Sequence, residues 1–545
     1  MRHEIRRCRR PVALSIRSTP GHPDRGRRRL VRSVGQRIRL LPESRGIPCD
    51  SCRDPGQDLA SPLDRQNWSS PVRFKAEHHV GRLLLPPFPL SPEQQSMLFL
   101  EGLFGPGIFR NTLISLPLRP EMTEARVQSA ITRLQQRQEA LRSGLVGRAP
   151  YLQRIEAVDP RLRTVIARPG ESAGDLLAAR KADCLVSAQV REIPGRAEYA
   201  LIEDSAGRER FLLVTLDHLV CDGHAERVLT AELTTLLEDA LGRRGSDSGE
   251  LPVSYRELCE KRVDAAARAE RETRYWSRSL ERLEPVSGLI PRPGGTDAGP
   301  TGGLLLGQVQ KLYRGPALHT LVGAVCRAQG ATAFSVLAAL TAAAIWHRGG
   351  PRTLALFTPV STRQRSGFGV AAGCFVHDRP VVCHIDPDQA LSDCFKSVMG
   401  QNLAALRFSA LSVADLACAV PPLGAALLSD GIDYVQLHVG MPAEAAADPV
   451  AATRSAADAT GPVPAPDERE PRDLGPFRPA QDLSVTTLRF EFTPEATTVR
   501  AFCGGAPGGM AVAEGLADDV LALLAGVLRN PDGTVAALVE SSLPR

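Results

Sequence analysis

The chain has 545 residues, 43% of them hydrophobic and 23% charged, at a formal net charge of +5, a length that can bury two cores and admits a two-subdomain enzyme. The total hides an asymmetry: residues 1–45 hold 14 Arg and no Lys against Glu4, Asp24 and Glu43, which is +11, so the remaining 500 residues sum to −6. The body is mildly acidic, which argues against a nucleic-acid-binding stripe, and its longest apolar run, Ala333 to Trp346, is too short to span a bilayer.

Residues 1–84 are rich in Arg, Pro, Gly and Ser and lack periodicity. Such a segment buries too little apolar surface to offset its ordering entropy, so a disordered basic extension is expected there. It is read as a solvated tail rather than an arm for nucleic acid or lipid. It also lacks the apolar stretch of a secretory signal. The 12 cysteines are scattered singly, as in a reduced cytosolic protein, and a cytoplasmic location is expected. Cys49-Asp50-Ser51-Cys52 is a lone CxxC; a zinc site needs two more ligands, so no metal is expected.

A first subdomain is expected over 85–290. Ser91 as N-cap with Pro92 at the first helical position starts a helix through Met97 and Leu100. Val127, Ala130, Ile131, Leu134 and Leu141 form the face of another, ending in Glu139-Ala140-Leu141-Arg142-Ser143 after Gln138. Strands are expected at 151–158, 199–203 and Phe211–Leu216. The last runs into Leu216-Asp217-His218-Leu219-Val220-Cys221-Asp222-Gly223. From His224 on, Val228, Leu229, Leu233, Leu236 and Leu237 mark an amphipathic helix. A histidine, an aspartate and a glycine thus sit on a tight strand-to-helix connection, where a rigid scaffold holds side chains in place.

The Pro/Gly cluster at 291–303 reads as a linker, and a second subdomain is expected over 304–545. It holds the helix of Thr332, Phe334, Leu337 and Leu340, a strand at 353–358, then Pro359-Val360-Ser361-Thr362-Arg363. Gly373-Cys374-Phe375-Val376-His377-Asp378-Arg379-Pro380 follows, then strands near 381–385, 433–439, 485–492 and 497–503 and a closing helix. Residues 444–480, rich in Pro, Ala and Asp, are expected to be a flexible insertion.

The spacing His218-x-x-x-Asp222-Gly223 resembles the HHxxxDG motif of the condensation-domain and CoA-dependent acyltransferase superfamily, with Asp217 at the first histidine. The second half is similar in the same order: a Thr-x-Phe-x-x-Leu-like helix, Pro-x-x-x-Arg, then Gly-x-Phe-Val-Asn with His377 for the Asn. The resemblance extends over about residues 88–540. It implies an α/β (α+β) fold of two chloramphenicol-acetyltransferase-like subdomains in a V around a central tunnel.

It also implies roles. His218 matches the histidine that takes a proton from the attacking nucleophile, or orients it, during acyl transfer from a thioester. Asp222 matches a structural aspartate, with Arg363 its expected partner. Gly223 is expected to permit a sharp turn where a β-carbon would intrude, with an N–H facing the oxyanion. Asp217 next to His218 is a candidate to steer its ring, although neighbours on a strand point to opposite faces. His377 is expected on the acceptor side of the site.

The function implied is a free-standing condensation-type acyltransferase of nonribosomal peptide and antibiotic biosynthesis. Its acyl or aminoacyl donors would ride on phosphopantetheine of carrier proteins acting in trans, since the length leaves no room for an adenylation domain and no carrier-type Gly-Gly-x-Ser segment is present. No cofactor bound to the chain, no nucleic acid and no membrane are expected. Two alternatives stand beside it: an acyl-CoA-dependent O- or N-acyltransferase on a small acceptor, and a catalytically silent module that recruits carrier proteins.

Overall fold

The computed structural model describes residues 86–544 except 106–108, 110, 148–150, 186–195, 244–252, 264–265, 291–304, 364–368, 441–462, 464, 477–482, 494 and 506–507. The basic extension, the CxxC pair, the whole 291–303 linker and most of the 444–480 insertion therefore lie outside the described residues.

In the first half, helix α1 (Pro92–Phe104) opens with the capping box that Ser91 and Gln94 encode, each side chain accepting from the other's backbone N–H. Strand β1 (Thr112–Pro117) and helix α2 (Glu124–Arg137) follow, then β2 (Leu162–Ile166), β3 (Ala197–Glu203), β4 (Arg210–Leu216) and helix α3 (Gly223–Ala240). The sheet runs β1-β4-β3-β2, with β4 antiparallel to both neighbours. The apolar run of β4 sits in its middle, so Leu212, Val214 and Leu216 are buried against Leu229, Leu233 and Leu236 of α3. That packing aims the β4–α3 connection at the second half.

The second half is built on one seven-stranded sheet. Strand β5 (Leu305–Arg314) precedes helices α4 (Ala317–Gln329) and α5 (Ala333–His347), then β6 (Thr353–Ser361), β7 (Val376–His384) and helix α6 (Leu391–Arg407). Strands β8 (Ile432–Gly440), β9 (Glu468–Pro476), β10 (Leu483–Phe492) and β11 (Ala496–Gly505) and helix α7 (Gly509–Arg529) complete it. The strand order is β7-β6-β8-β10-β11-β5-β9. Leu356, Val381, Leu437, Leu488, Phe490 and Ala501 share a core with the apolar faces of α5 and α7. Side chains alternate along a strand, so Asp378, Gln436, His438, Thr487 and Arg489 lie on the other face.

The expected flexible insertion needs correction at its end. Glu468–Pro476 is the edge strand of the large sheet, paired antiparallel with β5 and irregular between Asp473 and Gly475. Its Pro471 and its charges suit an edge, where an N–H is dispensable and charge discourages further pairing.

Candidate active site

His218 begins a single 3₁₀ turn, His218–Val220, between β4 and α3. The half-buried ring stands edge-on to Phe109, with centroids 6.3 Å apart. Its Nδ1 is buried without a hydrogen-bond partner among the described residues, whereas Nε2 is not among the buried atoms so left.

Asp222 is 1% exposed and caps α3, its Oδ1 accepting from the amides of His224 and Ala225. Arg363 binds both oxygens, Nη2 to Oδ1 at 2.9 Å and Nε to Oδ2 at 3.2 Å. The Phe375 amide adds a bond to Oδ2 at 2.9 Å, and Arg363 also donates to the carbonyls of Ala371 and Gly373. The aspartate of the first half is thus pinned to two segments of the second. A bidentate, fully bonded pair of this kind fixes geometry as well as charge. Gln138 makes a parallel clamp, accepting from the Ala372 amide at 2.8 Å and donating to the Val370 carbonyl.

Asp217 pairs with Arg196. Asp217 is buried and accepts from Arg196 Nη1 at 2.5 Å and from the Leu219 amide at 3.0 Å. Arg196 is itself 4% exposed and holds a left-handed φ of 49°, a conformation that costs a non-glycine residue about 1–2 kcal/mol. The ion pair and the bond from the Asp217 amide to the Arg196 carbonyl hold it there.

Two other expectations differ from the structure. Gly223 has no left-handed φ, and a β-carbon there would meet nothing within 4 Å. It is the exposed first residue of α3, and its N–H lies just ahead of the two that Asp222 caps. Conformational demand falls instead on Gly373, with φ +145°, where a β-carbon would sit 2.6 Å from the Phe375 ring and 2.7 Å from that of Tyr255. His377 is not in the cleft. It is 4% exposed, its Nδ1 lies 3.3 Å from Ser96 Oγ, and burial with the charges of Arg379 and Arg262 holds its pKa well below the usual value. Strand alternation turns the next residue, Asp378, to the opposite face, where it meets Tyr434 and Gln436.

That face carries groups that no sequence motif marks. Burial raises the Asp378 carboxyl, while bonds from Tyr434 and Gln436 and the charges of Arg379 and His218 oppose it. His438 is pushed down to about 4 by burial and by the charge of Arg489, with His218 adding to the effect and Glu491 opposing it. Glu226, one turn into α3, is raised by burial against the charges of Arg227, Arg489 and His218. The alternation Tyr434, Gln436, His438 between Val435, Leu437 and Val439 was the available signal. No group of three or more His, Cys, Asp or Glu suited to a metal occurs among the described residues, and no described helix is long and apolar enough by itself to cross a membrane.

Residues 87–418 match the family model for the condensation domain. Among curated proteins, the chain is 28% identical over 300 residues to the probable non-canonical nonribosomal peptide synthetase CymA of Salinispora arenicola. That alignment covers 53% of this chain and 4% of CymA, so the chain spans a small part of that relative's length. Among solved structures, the X-domain in complex with OxyB from teicoplanin biosynthesis aligns with a TM-score of 0.62 at 17% identity, covering 84% of this chain and 97% of that one. The starter condensation domain of rhizomide synthetase RzmA, solved with C8-CoA, aligns with a TM-score of 0.58 at 14% identity, covering 83% and 97%. These neighbours share the two-subdomain, chloramphenicol-acetyltransferase-like fold.

Proposed function

Because this chain belongs to the condensation-domain family, whose reaction is acyl transfer, we propose that it joins a thioester-bound acyl or aminoacyl group to a nucleophile in nonribosomal peptide biosynthesis, with His218 as the proton acceptor. The observation that carries this is the placement of His218. The half-buried ring stands on a connection locked by the Asp222–Arg363 pair. In the attack, the nucleophile's proton passes to His218 as the carbonyl oxygen gains charge. Of the N-terminal turn of α3, the Gly223 N–H, which lies ahead of the two that Asp222 caps, would be offered to that oxygen.

Donor and acceptor would be presented on the phosphopantetheine arms of carrier proteins supplied from outside these residues, with no cofactor held by the chain. We place the reaction in the cytoplasm and connect it with an antibiotic-type product; the free, mostly buried cysteines among the described residues support a reducing compartment.

Two rivals have support of their own. RzmA was solved with C8-CoA, which favours an acyl-CoA donor. The X-domain was solved with OxyB, and Asp217 at the first motif histidine favours a recruiting module without turnover. The test is thiol release from a panel of acyl thioesters, as carrier-bound, CoA and N-acetylcysteamine forms, with amine acceptors. Release that is fastest from carriers and lost in His218→Ala supports the proposal. Fastest release from CoA supports the first rival. Equal background from wild type and His218→Ala supports the second.

A further inference from the structure

The turn that carries His218 is held from a side that the chemistry above does not use. Leu219, the next residue, is buried, and both of its backbone polar groups are taken by side chains. Its N–H donates to Asp217 Oδ1 at 3.0 Å, and its carbonyl accepts from Gln94 Nε2 at 3.1 Å. Gln94 lies in the first turn of α1, and Met97, three residues on along the same helix face, shares a small apolar cluster with Leu219 and Cys374.

The orientation of the Gln94 amide is set by its other bonds. Its Oε1 accepts from the Ser91 N–H at 3.0 Å, which is one half of the capping box. Gln153, on the short strand Leu152–Ile155, meets it head to tail. Gln153 Nε2 donates to Gln94 Oε1 at 2.9 Å, and Gln153 Oε1 accepts from Gln94 Nε2 at 3.3 Å. Gln153 is anchored in turn on the Pro89 carbonyl at 3.1 Å. Both amides are no more than 2% exposed, and the hydrogen-bonding capacity of Gln94 is fully used. Flipping it would set NH₂ against the Ser91 N–H and an oxygen against the Leu219 carbonyl, two buried mismatches. The residue that caps α1 is thereby aimed at the His218 turn.

We propose that Gln94 is a positioning residue for acyl transfer: with Asp217 it fixes the peptide planes on either side of Leu219, and so the point from which the His218 side chain projects. This rests on the acyl-transfer function proposed above. Gln94 itself touches no reacting atom. A proton acceptor must lie within hydrogen-bond reach of the proton it takes, and a displacement of about 1 Å can cost 10²-fold in rate. The Asp222–Arg363 pair secures the end of the β4–α3 connection. Gln94 secures its start, by a separate route through α1.

The test uses the purified full chain, an acyl N-acetylcysteamine thioester and an amine acceptor. Two quantities are read: kcat and KM for thiol release, and the NMR signal of the His218 ring Cε1–H, assigned by its loss in His218→Ala. Gln94→Met keeps the bulk and leaves the Leu219 carbonyl without its donor. It should lower kcat about 10- to 10²-fold with KM within about twofold, and shift or broaden the ring signal. Ser91→Ala removes the other half of the same helix cap and leaves the bond to Leu219 in place. It should lower the thermal midpoint, with kcat within about twofold of wild type and the ring signal unchanged. Gln153→Met removes only the amide behind Gln94. It should lower kcat by a smaller factor, about three- to tenfold, and serves if the Gln94→Met protein does not fold. A wild-type kcat or a wild-type ring signal in Gln94→Met, or in Gln153→Met in its place, overturns the inference and leaves acyl transfer standing. No turnover by wild type, with His218→Ala indistinguishable from it, overturns both.

Discussion

Arg363, on the second half of the chain, closes a bidentate pair on Asp222 of the first half, with contacts of 2.9 and 3.2 Å and both side chains no more than 5% exposed. The same guanidinium lies over the Phe375 ring, 4.7 Å from its centroid. A lysine keeps the charge but cannot bridge both oxygens and also reach the Ala371 and Gly373 carbonyls. Arg363→Lys should therefore lose about 3 kcal/mol of unfolding free energy in a denaturant titration. Turnover should fall roughly tenfold or more, because the His218 connection is no longer fixed. Wild-type stability and rate together would remove the pair from the account.

The pairing of Asp217 with Arg196 implies that restoring a histidine at the first motif position is harmful. In Asp217→His the buried guanidinium loses its carboxylate, which costs about 3–5 kcal/mol. Thermal unfolding should show the loss, and thiol release should show no gain. Arg196→Leu added to Asp217→His should recover much of the stability, since the uncompensated charge is gone.

The two glycines near the site should respond in opposite ways. Gly223→Ala adds a methyl group in open space at the start of a helix, and stability should stay level or rise by about 0.5–1 kcal/mol. Gly373→Ala forces a β-carbon against Phe375 and Tyr255 at an unfavourable φ, and should cost several times that, about 3 kcal/mol. The same pair of unfolding curves checks both.

His438, held near pKa 4, and His377, held well below its ordinary 6.5, are neutral in the fold. Above pH 6.5 they are neutral in the unfolded chain as well, and their full contribution to stability is present. As pH falls from about 6.5 toward 4, the unfolded chain takes up protons that the folded one refuses, so stability declines. For His438 the decline amounts to about 3 kcal/mol at most. His438→Gln should flatten the dependence of unfolding free energy on pH over this window; an unchanged slope would show that His438 titrates normally.

The elements with strong periodicity were readable from the residues, as were the Ser91 cap and the meeting of Asp222 with Arg363, which lie in ordered motifs. What escaped detection depends on tertiary placement. Arg196 lies in no motif, and its partnership with Asp217 arises only when β3 is laid beside β4. His377 drew attention by its chemistry, but the two-residue period of β7 sends it inward and presents Asp378. The strand at 468–476 lies inside a segment whose Pro, Ala and Asp content reads as an insertion, and the edge of the sheet is where a strand tolerates proline. Glu226 is one of several charged residues on the amphipathic helix α3, indistinguishable in sequence from its solvated neighbours.

The most direct test of the central claim is to replace His218 by Ala in the chromosome of the producing organism, check protein levels, and compare its metabolites by mass spectrometry with wild type and a full deletion. Loss of the same compound in the point variant and the deletion is the predicted result, and it would tie that product to proton transfer at His218. If only the deletion loses the compound, the protein acts by binding, and acyl transfer at His218 is contradicted.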